Sequence, residues 1–89
     1  MLGSAMPKYF FNVHDNGPPH WDDTGLELTW RDDIAAHALR LIVAAKTRQK
    51  SRGDIGVTTT VIVHFEEGSV ALTAIARPGR NVLFVWPPD

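Results

Sequence analysis

The sequence predicts a small two-layer α+β domain, a mainly antiparallel sheet of three to five strands packed on one amphipathic helix. Two observations place the strands. Apolar residues alternate through Tyr9, Phe11 and Val13 and again through Val57, Thr59, Val61, Val63 and Phe65, the period-two signature of strands with one face in a core. A third places the helix: Ile34, Ala35, Ala38, Leu39, Leu41, Ile42 and Ala45 recur at three- and four-residue spacing. The order is β–(β)–α–β–β–β, and 89 residues suffice for one hydrophobic core but not for two. The domain is expected to span 6–89, with residues 1–5 a tag remnant or an upstream start ahead of Met6.

The first strand sets Tyr9, Phe11 and Val13 against Lys8, Phe10, Asn12 and His14. Phe10 on the second face is an aromatic where water would favour a polar residue, so that face is expected to be partly covered. His14 to Pro19 is a loop, because Asp15, Asn16 and Gly17 favour turns and paired prolines cannot donate ladder bonds. From His20 to Leu28 the chain reads as a short or irregular edge strand. Thr29 is the expected helix N-cap, with Asp32 reaching back as in a capping box and Asp32 and Asp33 favoured by the helix dipole. The helix is expected from Trp30 to about Lys50, with basic residues crowding its last turns and Gly53 ending it.

Val57 to Phe65, rich in β-branched residues, reads as the central strand. Glu66 to Ser69 turns it into an antiparallel partner over Val70 to Ala76. A second turn at Arg77 to Asn81 leads to a last strand, Val82 to Trp86, stopped by Pro87 and Pro88.

Composition narrows the function classes. With no cysteine there is no disulfide framework, thiolate metal site or thiol nucleophile, and a reducing, cytoplasmic compartment is expected. The first residues lack the basic start and apolar run of a secretory signal, and no membrane-spanning stretch occurs. A net charge of −1 gives no global basic field for nucleic acid. No glycine-rich phosphate loop or nucleophile elbow is present, and no cofactor is expected.

Met6-Pro7-Lys8-Tyr9-Phe10-Phe11-Asn12-Val13-His14-Asp15, followed by Asp22-Asp23-Thr24-Gly25-Leu26-Glu27-Leu28 and the Ala35, Ala36, Ala38, Leu39 helix opening, resembles a family of short uncharacterised bacterial proteins of rhizobial type. That family is a domain of unknown function, so the resemblance implies a fold and no activity. It extends from Met6 to about Leu41 and on through the Val57–Ala76 hairpin, is weakest after Arg77, and Asn81 to Trp86 continues beyond where such proteins often finish. The core is also similar to HicB-type antitoxins of toxin–antitoxin pairs, which open with a strand, an acidic Gly-containing turn and an Ala-rich helix. This chain has no DNA-binding module of theirs, so that likeness implies only a toxin-neutralising partner role.

Candidate chemistry is sparse. His14, Asp15, His20 and Asp22, with Asp23 beside them, supply imidazoles and carboxylates of the kind divalent ions take, although their spacing matches no established site and a polar turn explains them as well. Paired carboxylates at Asp22-Asp23, Asp32-Asp33 and Glu66-Glu67 diverge by local geometry and suit capping and solvation better than acid–base work. Lys46, Arg48, Lys50 and Arg52 offer phosphate contacts, but dipole compensation accounts for them and nucleic acid is not the expected partner. His64 is expected on a solvated strand face and His37 on the polar side of the helix. Of Trp21, Trp30 and Trp86, one or two are expected in the core, and Trp86, with Phe84 and Val82, is the expected contact with another chain.

The leading expectation is a non-enzymatic interaction or regulatory module that self-associates as a homo-oligomer or meets a small protein partner. The alternatives are the toxin-neutralising partner and a metal-assisted hydrolase at the His14–Asp22 loop.

Overall fold

The computed structural model describes residues 7–88, so the expectation for residues 1–5 lies outside the described residues. The chain runs β1 (Lys8–His14), β2 (Leu26–Glu27), α1 (Arg31–Arg52), β3 (Thr59–Phe65), β4 (Val70–Ala76) and β5 (Leu83–Val85). Its strands form one five-stranded antiparallel sheet in the order β2-β1-β3-β4-β5, with α1 packed on one face. The α+β architecture is the one the sequence predicts, with β3 at its centre.

Register assigns each residue to a face, because directly paired residues of neighbouring strands project to the same side. Phe11 pairs with Val63 and Val63 with Leu72; Val13 pairs with Val61, Val61 with Ala74 and Ala74 with Phe84. These rows face the helix, whose buried stripe is Ile34, Ala38, Ile42, Ala45 and Gln49. The alanines let the helix backbone lie close to the sheet, and the strands supply the bulk. Burial of this apolar surface is the main stabilising term in so small a domain.

A bulge interrupts the β3–β4 ladder, since Val63 faces Leu72 while the next residue, His64, faces Val70. Ala71 is the extra residue and turns inward, so Ala71 and Leu72 are both buried. Without the bulge, the one-residue slip would invert every β4 side chain beyond it.

The helix start differs from expectation. Its N-cap is the extended Trp30, not Thr29, and no side chain caps it. The Asp33 and Ile34 amides reach back to the Trp30 carbonyl instead. The chain enters the helix one residue later than expected, which leaves Thr29 outside the capping position while Asp32 and Asp33 remain in the first turn. At the other end Gly53 takes the left-handed conformation, φ +80°, and its amide and that of Asp54 satisfy the Lys50 and Gln49 carbonyls. β3 begins at Thr59, later than expected, because pairing ends at Thr60 with His14 and at Thr59 with Ala76, leaving Val57 and Thr58 without ladder partners.

Candidate functional site

The face of the sheet opposite α1 carries no covering element among the described residues. Three cross-strand rows build it: Phe10, His64 and Val70; Asn12, Ile62, Thr73 and Val85; His14, Thr60, Ile75 and Leu83. Leu83 and Val85 are nearly half exposed, at 47% and 45%, and Val70 is also exposed. Phe10, Ile62 and Ile75 are half-buried. Apart from its histidines, these rows hold no titratable side chain. His64 turns its Nδ1 towards the Gly68 carbonyl at 3.0 Å, within the hairpin turn.

The two edges of the sheet differ. Along β1, the partner strand β2 lasts only two residues, yet the edge is closed by other means. The Asp22 carboxylate accepts from the Phe11 amide at 3.0 Å, standing where a neighbouring strand's carbonyl would stand. Its second oxygen accepts from the amides of Thr24 and Gly25, and the Asp22 amide donates to Asn12 Oδ1 at 2.8 Å. One residue further, Val13 and His20 exchange both backbone hydrogen bonds. Burial alone would push the Asp22 carboxyl up, but the amides of Gly25, Phe11 and Thr24, with His37 nearby, hold it below its ordinary value. Across the sheet, β5 is a bare edge of three residues followed by Pro87 and Pro88.

A cleft of about 340 Å³ opens between α1 and the segment 20–26, lined by Phe11, Val13, Trp21, Leu26, Leu41 and Arg48 together with His20, Asp22, Gly25 and His37. His37 does not lie on the polar side of the helix as expected. It is half-buried with its ring edge-on to Phe11, centroids 4.6 Å apart, because the buried stripe puts its flank, not its back, over β1. Burial lowers its pKa, the Arg40 charge lowers it further and Asp22 opposes both.

The metal candidates are not brought together. His14 meets the Trp21 ring edge-on, Asp22 is occupied by three amides, and His20 is exposed. Asp15 accepts from the Gly17 amide and from Gln49 Nε2, which also donates to the buried Thr59 hydroxyl at 2.8 Å. The amide of Gly17 and the Gln49 side chain hold the Asp15 carboxyl below its ordinary value against burial, helped by Arg52 and Arg48. Among the described residues no three His, Asp or Glu side chains are grouped to hold an ion. These carboxylates fasten loops.

The basic candidates are exposed on the last helical turns. Arg52 is engaged by Asp54 at 3.1 Å and by Asp15 at 3.9 Å, whereas Arg48 lines the cleft. Val82, Phe84 and Trp86 are partly buried on the helix side and pack against the core, with the Arg31 guanidinium 4.2 Å from the centre of the Trp86 ring. The outward residues of that strand are Leu83 and Val85, which the unbroken apolar run did not distinguish. Of the tryptophans, Trp86 alone joins the core, while Trp21 and Trp30 are more than half exposed.

Comparison with family models, curated proteins and solved structures finds no significant match to any of them. No helix among the described residues is long and apolar enough to cross a membrane.

Proposed function

We propose that this chain is a non-enzymatic interaction module whose helix-free sheet face joins two copies of it. The observation that supports this is the set of outward apolar residues Phe10, Ile62, Val70, Ile75, Leu83 and Val85 on one uncovered surface. An antiparallel sheet that faces water on one side ordinarily alternates apolar-in with polar-out, whereas six of the eleven outward positions in these rows are apolar.

A second copy suits the surface for three reasons. A two-fold contact sets the same patch against itself, and rows that carry no acidic or lysine side chain, with Lys8 and Glu27 paired at the edge beyond them, are complementary to their own image. The net charge of −1 opposes association little. Extension through a sheet edge is the poorer route, since the Asp22 segment closes β1 and β5 offers only three residues before the prolines.

The size of the face sets the strength. At a strand spacing of about 4.8 Å and a rise of about 3.4 Å per residue, β1, β3, β4 and β5 cover a plane of roughly 400 Å². Stable interfaces bury about 800 Å² per partner, so this dimer is weak and concentration-dependent. Sedimentation velocity from micromolar to millimolar concentration is expected to show the average mass rising towards twice the monomer's. The Leu83→Lys, Val85→Lys double variant changes two exposed positions and is expected to stay monomeric with unchanged circular dichroism. A wild-type monomer at every concentration refutes the proposal, as does a dimer that the double variant leaves intact.

A further inference from the structure

We propose that the cleft between α1 and the segment 20–26 binds a small aromatic monocarboxylate, its ring against Trp21, Leu26 and Leu41 and its carboxylate on Arg48. This site lies on the helix side of the sheet and is independent of the self-association surface. Its volume of about 340 Å³ falls within the range of small-molecule sites.

Three elements build it. β1 gives the floor through Phe11 and Val13, α1 one wall through His37, Leu41 and Arg48, and the 20–26 segment the other through Trp21 and Leu26. The segment is fixed to β1 by the Asp22 and His20 hydrogen bonds, so the wall is pre-formed. Its residues are mainly apolar and aromatic, and the Phe11 and His37 rings already meet edge-on there. A flat ring extends that arrangement, since aromatic groups favour offset and edge-on contacts.

Charge selects the head group. Among the described residues Arg48 forms no salt bridge within 4.0 Å, in contrast to Arg52, which holds Asp54 and Asp15, and its charge reaches Asp15 only at longer range. Its planar fork matches the two oxygens of a carboxylate. Asp22 also lines the cleft, but three backbone amides already offset its charge. A dianion such as a phosphate ester is the poorer fit, because a single guanidinium faces it and Asp22 and Asp15 repel the second charge. The neighbouring cavity beyond His20 contains Arg52, Asp15 and Asp54, which pair with one another, and Arg48 stands on the border between that cavity and the cleft.

The test is an amide-resolved NMR titration with naphthoate, naphthylmethanol and inorganic phosphate in parallel. Naphthoate is expected to give saturable shifts at 20–26, His37, Leu41 and Arg48. Arg48→Gln is expected to weaken it about tenfold or more, the worth of a charge-assisted hydrogen bond, and so is replacing the carboxylate by the neutral alcohol. Trp21→Ala, at a position 64% exposed, is expected to weaken it while leaving the fold intact. Absence of saturable shifts overturns the proposal. So does naphthoate binding that Arg48→Gln leaves unchanged, equal binding of the alcohol, or equal binding of phosphate, which would reduce the site to a general attraction for apolar or anionic solutes.

Discussion

Asp22→Ala is expected to be among the most damaging single changes outside the hydrophobic core. The carboxylate accepts three amides, from Phe11 at 3.0 Å, Thr24 at 3.1 Å and Gly25 at 3.0 Å. Only the first belongs to the buried strand β1, and Phe11 itself is 4% exposed. A buried amide left without an acceptor costs about 1–3 kcal/mol, and the two loop amides, which regain water, add a fraction each. A total of about 2–4 kcal/mol is a large share of the stability of a domain this size. At about 4–8 °C per kcal/mol, the melting temperature is expected to fall by roughly 8–32 °C. Circular dichroism melts give the shift, and hydrogen exchange at the Phe11 amide localises it, since that proton loses its acceptor. Asp22→Asn keeps one acceptor oxygen and is expected to fall between the two. A melting temperature for Asp22→Ala within about 3 °C of wild type, a loss of less than 1 kcal/mol, would refute the reasoning. Unchanged protection at Phe11 would do the same.

Two further outcomes follow from the same region. Gly25 has φ +77°, and a Cβ there would stand 2.7 Å from Lys8 Cγ and 2.9 Å from Phe10 Cε2, so Gly25→Ala is expected to cost about 1–2 kcal/mol from backbone strain, with the clash adding to it; a variant as stable as wild type in urea melts would show that the loop relaxes freely. Stability is also expected to fall with acidification in two steps. His37 has a folded pKa lowered from 6.5, mainly by burial, so its unfolded form binds the proton more readily and stability declines as pH drops below 6.5, levelling beneath the folded value. Asp15 and Asp22 have folded pKa values lowered from 3.8, so the stability they add is complete above 3.8 and is lost as pH falls through the folded values. Urea midpoints against pH are expected to lose the upper step in His37→Gln and to shrink the lower one in Asp22→Asn; a midpoint flat across both ranges would contradict these assignments.

Much of the fold was legible because its signals are local. Alternation in β1 and β3 marked the helix-facing rows, and the three- and four-residue spacing from Ile34 to Ala45 marked the buried helical stripe, as the packing of both bears out except at Leu39 and Phe65, which are exposed. Gly53 stopped the helix where its left-handed conformation was needed. Phe10 on the second face of β1 led to the expectation that this face is partly covered, whereas no described element covers it. The rest of that surface was not legible, because Val70–Ala76, apart from Thr73, and Val82–Trp86 are apolar and carry no alternation. Gln49 was likewise hidden: a glutamine near a basic helix end reads as solvated, yet it is 5% exposed and ties Asp15 to Thr59.

The sequence by itself determined the α+β class, the element order, the single core helix and the residues that bury it, since each depends on periodicity and turn chemistry within a short window. Only the tertiary structure decided which residues of β4 and β5 face outward, because the bulge at Ala71 and the β4–β5 register depend on pairing between distant segments. It also decided the fate of the acidic loop. Asp22 closes the edge of β1 and Asp15 anchors the helix end because residues ten or more positions away arrive as donors, a pairing that spacing alone does not encode.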